Sequence, residues 1–547
     1  MNRIAGVGFL FFFCAGYLNV PAEAQSPAAV RERIARIENA FPSISMGANE
    51  PPIALNLLKV MQISNVPGLS VAVIDDYRIA WARGYGVTEA GGKTPVTTRT
   101  LFPAASISKP VTAIAALRLV EQGKLSLDDD VNRALTSWKV PENEYTRDQK
   151  VTLRRILTHT AGTTVHGFLG YPVGQPLPTL LQILDGIRPA NSEPVRVDYV
   201  PGTKQRYSGG GVMIEQQLMI DVTGQPFPRI MQELVLDRLG LKDSTFEQPL
   251  PPSRAALAAA GHNDTGDTMP GKWNVAPEMA VGGLWTTPSD LSRIAIDVAL
   301  SSQGKSNRIL STAMSREMLR LQVDPKIENL EGRTMRMGLG WVLSDESDPG
   351  RFGHEGVNPG FMAEVLMWES GHGVVVMVNN WSFNSQLVMR YVINNVAKEY
   401  CWSYRVSPFT PPLYADTEVL AVAKLRGAQA AIRKYYELKK RSAEQKGKGA
   451  PVVVWASDPP DFPPNEWDLL GVAGTIADPR HLDDAIAIMK VELEEYPKFP
   501  KAYHALAKLY VRAERKAQAI TTYEALLAFQ PDDQAASEAL ETLRGRK

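Results

Sequence analysis

Short apolar runs of strand length stand at both ends of the first four hundred residues. Near the start, GLSVAVIDDYRIAWARGYGV gives two β-rich runs split around Asp75-Asp76, the pattern of a hairpin. Near residue 350, RFGHEGV, FMAEVLMW and GVVVMVNN give three more, again parted by turn residues. The stretch between them carries mostly helical periodicity and long loops. Strands at both ends and helices between predict an α/β (α+β) fold: one antiparallel sheet built from the two ends, flanked by helices, with a helical subdomain inserted.

The pattern changes after residue 407. SPFTPPLYAD holds three prolines, a poor setting for helix or strand, and marks a joint at 408–415. From 416 to 547 the pattern is all-helical and repeats. Ala485 and Ala519 are 34 residues apart, as are Pro497 and Pro531. Tyr503, Leu506, Ala507, Tyr510, Ala519, Tyr523 and Pro531 fall on the spacing of a tetratricopeptide repeat. Trp467, Leu470 and Gly471 open an earlier copy, and the helix around Leu420–Arg441 is expected to add packing surface. Residues 443–465 read as a loop or edge segment. Deleting residues 416–547 is expected to leave some of the chemistry in residues 25–407 intact, provided the joint is exposed; insoluble protein would instead mean that the helices cover apolar surface of the first region.

The first 24 residues read as an export signal: Arg3, an apolar run from Ile4 to about Leu18, then Ala22-Glu23-Ala24 for the signal peptidase. The run is short of the ~20 residues that span a bilayer. The mature chain is therefore expected in the periplasm or outside the cell, with no stable membrane insertion. Lys plus Arg equals Asp plus Glu, at 59 each, so nothing favours a nucleic-acid partner. Of the two cysteines, Cys14 leaves with the signal, and Cys401 alone can form neither an internal disulfide nor a cysteine-based zinc site.

Chemistry concentrates in LFPAASISKPVTAIAALRLVEQGKLSLDD. Ser106 and Lys109 are three apart, so a helix starting at Ser106 puts both on one face of its first turn. Pro110 is tolerated there, Val111, Ile114 and Leu117 form an apolar stripe, and Gly123 is a plausible stop. A serine hydroxyl needs a base to become a nucleophile, and a buried lysine can serve once its pKa falls. The helix N-terminus aims N–H groups at developing negative charge. The pair recurs at Ser302 and Lys305, in the polar run SSQGKSN, which reads as a loop. The chain has no G-x-S-x-G elbow, no H-E-x-x-H and no phosphate-binding loop.

Over roughly Val66 to Asn380 the chain resembles the class C β-lactamase and penicillin-binding protein family, with its esterase and D-aminopeptidase relatives. The resemblance rests on six ordered pieces: GLSVAVI with GYGV, the S-x-x-K helix, ILTHTAG, PGTKQRYSGGG, VGGLWTTPSDLSR and GHEGVNPGF. It implies a β-lactamase/transpeptidase-like fold and an acyl-enzyme mechanism without metal or organic cofactor. By the resemblance, Ser106 is the nucleophile, Lys109 its proton acceptor and relay, and Tyr207 a proton carrier to the leaving group. His354-Glu355-Gly356 takes the place of the third motif. The N–H of Val357, with that of Ser106, implies an oxyanion hole; Gly356 admits the substrate, and His354 and Ser208 fall among the substrate-binding groups. His159 of LTHTAG holds a structural position in the family.

Two departures separate the chain from true β-lactamases. Tyr207-Ser208-Gly209 lacks the asparagine of Tyr-x-Asn, and His354 replaces a lysine, a fixed cation suited to a carboxylate. Both weaken the expectation of β-lactam hydrolysis. The sequence points to a serine hydrolase for a peptide or small-molecule substrate, leaning towards small, linear or D-residue peptides. The alternatives are a carboxylesterase, a weak β-lactamase, or an inert fold that binds a protein or peptide partner through its repeats.

Overall fold

The computed structural model describes residues 26–46, 50–332, 335–345, 347–402, 415–445 and 468–545. The proposed signal and most of the 408–415 and 443–465 segments lie outside them. The main sheet has six strands: β1 (Gly68–Asp75), β2 (Arg78–Gly86), β3 (Val342–Leu343), β4 (Arg351–Asn358), β5 (Phe361–Trp368) and β6 (Gly373–Val378). Their order is β2-β1-β6-β5-β4-β3, with every neighbouring pair antiparallel. β1 joins β6 from Leu69↔Val378 to Ile74↔Gly373, so the two ends of the region meet in mid-sheet as the pattern predicts. The β1–β2 turn is Asp76-Tyr77, both with positive φ (50° and 58°), the two-residue turn whose twist suits a hairpin. It lies one residue beyond the Asp75-Asp76 split.

Thirteen helices bear on the site or its support. They are α1 (Pro27–Asn39), α2 (Leu57–Ile63), α3 (Ser108–Glu121), α4 (Gly209–Thr223), α5 (Pro288–Ser302), α6 (Phe383–Glu399), α7 (Ala415–Arg426), α8 (Ala428–Gln445), α9 (Asp468–Ile476), α10 (Leu482–Glu495), α11 (Pro500–Arg512), α12 (Lys516–Phe529) and α13 (Gln534–Arg544). Alternation along the strands sends side chains to two cores. Phe352, Val365, Met367, Val375 and Met377 share one core with α3, α4 and α5. Leu69, Val71, Leu366, Val374 and Val376 share the other with α1, α6 and the C-terminal helices. β6 is buried along its whole length, which its unbroken apolar run requires.

α3 departs from the amphipathic helix the stripe suggests. Val111, Ile114 and Leu117 are buried, and so are Ala113, Ala115 and Ala116, because the helix runs through the middle of the first core. The small alanines let neighbours close around it.

The repeat spacing carries through to α9–α13, where Ala485, Ala507 and Ala519 are fully buried between helices. This helical region packs on the first one. Val419, Leu420, Leu469, Val472 and Met489 lie in the same buried cluster as Val60, Leu69, Val376 and Val388 of the first region. Polar contacts seal the seam: Asn65 Nδ2 donates to the Thr475 carbonyl (2.7 Å), Asn384 Nδ2 to Thr475 Oγ1 (2.6 Å) and Lys434 Nζ to the Ser45 carbonyl (2.9 Å). So short an array cannot cover its own apolar face, and the sheet's outer side supplies the missing surface. Among the described residues no helix is long and apolar enough to cross a membrane.

Candidate active site

The chain enters the site from a short strand, Phe102–Pro103, paired with Trp285–Thr286. A 3-10 turn, Ala105–Ile107, then runs into α3. Ser106 therefore stands two residues ahead of the helix proper, which begins at Ser108. Ala105 has φ 48°, a left-handed conformation that costs a non-glycine residue on the order of 1 kcal/mol or more. It is held by its neighbour Ala104, whose N–H donates to the Leu284 carbonyl at 2.7 Å. Lys109, one turn on, donates from Nζ to Ser106 Oγ at 2.9 Å and to the Val281 carbonyl at 3.2 Å. Only 3% of Lys109 is exposed, and burial pushes its ammonium down to about 7 against the opposing pull of Glu215.

The Val281 carbonyl belongs to a helical turn, Met279–Gly282, tied down on every side. Gln216 accepts from the Ala280 N–H (2.8 Å) and donates to the Pro277 carbonyl (3.3 Å). Thr112 Oγ1 donates to the Ala280 carbonyl, and Asn358 Nδ2 to that of Gly282 at 3.1 Å. A fixed turn gives Lys109 a fixed acceptor.

Tyr207 precedes α4. Its hydroxyl interacts with Ser106, and its ring lies with its centroid 4.9 Å from Lys109 Nζ. Three imidazoles surround the ring, His159 at 4.3 Å, His166 at 5.0 Å and His354 at 6.3 Å between centroids. Burial pushes the Tyr207 phenol above its usual range; Ser106 opposes this, and Glu331 and Glu355 add to it. Tyr207 thus keeps its proton at neutral pH. The protonated hydroxyl is the form its surroundings favour.

Ser208 does not line the cavity, contrary to its placement among the substrate-binding groups. It is buried as the N-cap of α4, accepting from the Gly211 N–H (3.0 Å) and Thr163 Oγ1 (2.9 Å) and donating to the Thr164 carbonyl (2.9 Å). Capping competes for any serine that opens a helix, and here it takes the whole hydroxyl. Its N–H donates to His159 Nδ1 at 3.2 Å, so that histidine braces the tyrosine loop. The glycines that follow allow close approach: a Cβ on Gly210 would stand 2.3 Å from the Thr164 carbonyl oxygen.

β4 closes the other side. Beyond Phe352 and Gly353 it has no β3 partner, so its edge from His354 onward faces the cavity. A Cβ on Gly356 would lie 2.2 Å from the Ala104 carbonyl oxygen, so this residue seats the Ser106 turn against the strand. The Val357 side chain is exposed at the cavity wall. His354 is buried, with Nδ1 2.5 Å from the Glu355 carbonyl oxygen. Burial, with the charge of Lys109, pushes it down to about 4, so it is neutral at pH 7.

Ser106, Lys109, Tyr207, His354 and Val357 meet in one cavity of about 840 Å³. Phe168, Leu169, Trp273 and Phe361 give it apolar walls, and Glu278, Glu331, Glu355 and Glu364 bring carboxyls to it. Burial pushes Glu278 up to about 7; for Glu364, burial first and then the Glu355 charge push it up to about 8. Arg351 also lines the cavity, but its Nε is paired with Asp348 at 2.5 Å. Among the described residues no cluster of three His, Cys, Asp or Glu side chains is placed to hold a metal ion.

The second S-x-x-K is no rival. Ser302 ends α5, with Oγ donating to the Ala299 carbonyl (2.9 Å) and to Glu369 (3.0 Å), so its place is a helix terminus rather than a loop. Three neighbours of the site escaped the sequence: His166, Glu278 and Glu215. Only Glu215 left a trace, as one acid inside the apolar run VMIEQQLMI. The others are joined to Ser106 by tertiary folding alone.

A family model described as Beta-lactamase matches residues 56–398, and one described as Tetratricopeptide repeat matches 479–543. Penicillin-binding protein 4 of Amycolatopsis lactamdurans is 28% identical over 57% of this chain and 80% of its own length. Esterase EstB of Burkholderia gladioli is 30% identical over 32% of this chain and 46% of its own, so the chain spans under half of that relative. Among solved structures, the β-lactamase/D-alanine carboxypeptidase of Yersinia pestis superposes with TM-score 0.51 over 62% of this chain and 95% of its own, at 21% identity, a likeness of fold. With more than half of its length matched by that first family model, the chain belongs to the β-lactamase family of serine hydrolases, and carries tetratricopeptide repeats behind the hydrolase fold.

Proposed function

We propose that this chain is an exported hydrolase that cleaves an amide or ester through an acyl intermediate on Ser106. One observation carries the reading: the Ser106 hydroxyl is 2.9 Å from a buried lysine, and both share a cavity of substrate size with Tyr207. With its pKa near neutrality, Lys109 presents free amine at pH 7 and serves as general base. Ser106 Oγ attacks the carbonyl carbon while its proton passes to Lys109. The oxyanion forms at the start of α3, beside the edge of β4. Tyr207, still protonated, hands a proton to the leaving group as the acyl–leaving-group bond breaks, and water then releases the acyl chain by the reverse path.

The cavity's charges narrow the substrate. Neutral His354 stands where a fixed cation would hold a carboxylate, Arg351 is engaged by Asp348, and Glu331 and Glu355 reach the wall. This favours acyl donors with no carboxylate beside the scissile bond and disfavours β-lactams. Small linear peptides, including those with D-residues, fit as substrates when that carboxylate is absent or masked. The apolar walls of Phe168, Leu169, Trp273 and Phe361 support a second reading, a carboxylesterase for short acyl chains. Export is supported by Arg3, the apolar run and Ala22-Glu23-Ala24.

Intact-protein mass spectrometry after incubation with mixed esters, β-lactams and D-residue peptides tests the reading. The expected result is one acyl adduct, absent from Ser106→Ala. No adduct from any donor, with fluorophosphonate labelling of wild type no faster than of Ser106→Ala, would overturn it. A p-nitrophenyl butyrate rate more than about a hundredfold above every peptide p-nitroanilide rate would select the esterase.

A further inference from the structure

The cavity wall carries one imidazole–carboxylate pair that the acyl-transfer scheme leaves without a role. His166 Nδ1 lies 2.8 Å from Glu331 Oε1, and both residues line the cavity. A carboxylate only accepts hydrogen bonds, so Nδ1 carries the proton and Nε2 keeps its lone pair. Nε2 meets no partner among the described residues, and the side chain is 68% exposed. An exposed ion pair adds little to stability, so packing does not account for this one. An imidazole held by a carboxylate through one nitrogen, with the other nitrogen free beside a substrate cavity, is the arrangement of a general base.

The backbone is strained to place it. Val165, just before the histidine, has φ 63°, a left-handed conformation that a β-branched residue rarely adopts. The carbonyls of His166 and Val165 accept from the N–H groups of Gly209 and Gly210 (2.9 and 3.0 Å), the first residues of α4. On the other side, the Glu331 N–H donates to Asn329 Oδ1 (2.7 Å) and Asn329 Nδ2 to Gln205 Oε1 (3.0 Å), while the Leu330 N–H donates to the Gln205 carbonyl (2.9 Å). Gln205 and Gly209 stand two residues either side of Tyr207. The pair is thus clamped to the tyrosine from both directions, with the His166 ring centroid 5.0 Å from that of Tyr207, whose hydroxyl interacts with Ser106.

Release of the acyl group needs a base for the incoming water. After acylation Lys109 holds the proton of Ser106, and Tyr207, refilled from solvent, holds its own. We propose that His166, oriented by Glu331, is that base and so a further catalytic residue. The inference rests on the acyl-serine reading above. The water oxygen bonds to the acyl carbon while a water proton passes to His166 Nε2. The bond from that carbon to Ser106 Oγ breaks, Oγ takes its proton back from Lys109, and His166 gives its proton to solvent. Glu331 is a positioning residue, which fixes the ring and stabilises the imidazolium as it forms.

Rapid-quench mass spectrometry of the full-length protein with p-nitrophenyl butyrate tests this. Growth of the butyryl adduct on Ser106 reports acylation, and its decay once the ester is exhausted reports hydrolysis. In His166→Ala the decay constant is expected to fall about a hundredfold and the growth constant by less than about tenfold, so the adduct persists. His166→Gln, closer in size, is expected to do the same and guards against loss of folding in the alanine variant. Glu331→Gln is expected to slow decay about tenfold. Decay slowed no more than growth in whichever histidine variant folds would overturn the proposal. A residue that only supported the loops around Tyr207 would act through the tyrosine and slow growth at least as much as decay. Wild type that releases p-nitrophenol no faster than Ser106→Ala would overturn the acyl-serine reading itself, a separate outcome.

Discussion

Lys109 titrates near pH 7 because it is buried, and its Nζ is aimed because Ser106 and the Val281 carbonyl fix it. Lys109→Ala and Tyr207→Phe are each expected to lower kcat/KM by at least ~100-fold with an unchanged circular dichroism spectrum, the usual scale for losing acid–base help. A second expectation concerns stability. Burial holds His354 at about 4 against an ordinary 6.5, so between those pH values the unfolded chain binds a proton that the folded chain refuses. Stability is therefore full above 6.5 and falls by about 3 kcal/mol as pH drops through 4, with buried His159 acting in the same direction. Guanidinium midpoints at pH 7 and 4.5 check this, and His354→Gln is expected to lose less than wild type. At this scale the sequence was legible where chemistry is local. Ser106 and Lys109 are three residues apart, whereas Tyr207 was legible only through resemblance. Ser208 was misplaced because a serine opening a helix is drawn to the cap.

Elements place these residues through close backbone approaches. β4 meets the Ser106 turn at Gly356, where any Cβ would fall 2.2 Å from the Ala104 carbonyl oxygen. Gly356→Val is expected to push the two apart and lower Ser106 labelling by at least ~100-fold, since a shift of about an ångström already has a large effect on transfer. Ser208→Ala removes the α4 cap and leaves Thr163 Oγ1 and the Gly211 N–H without their acceptor. It is expected to cost about 1–2 kcal/mol, read from the urea midpoint. The strands were legible because alternation survives in GLSVAVI and FMAEVLMW, and the hairpin turn missed by a single residue. α3 was legible as a helix but not as a central one, since an apolar stripe cannot show that alanines on the remaining faces are also covered.

Across the whole molecule, the repeats and the hydrolase share a core. A chain ending at residue 402 would expose the outer sheet side and α2 now covered around Leu420, Leu469 and Met489. It is expected to be insoluble or to melt well below the full chain, measured by yield and thermal denaturation. Export is expected to leave Gln25 as the first residue, checked by N-terminal sequencing of protein from the cell envelope fraction. The repeat spacing was legible, but the surface the repeats cover was not, because nothing local pairs Asn65 with Thr475.

The pairing of β1 with β6 sets a timetable for the nascent chain. One side of β1 waits as an open ladder until residue 378 has left the ribosome, some three hundred residues after β1 itself. Ordering β1 early would leave a bare apolar edge in the crowded cell, a template for self-association. If the chain is exported as proposed, translocation in a loose state, with the sheet closing only after the late strands have crossed, would spare it that hazard. A transport route that carries folded cargo would have to shelter the edge until synthesis catches up.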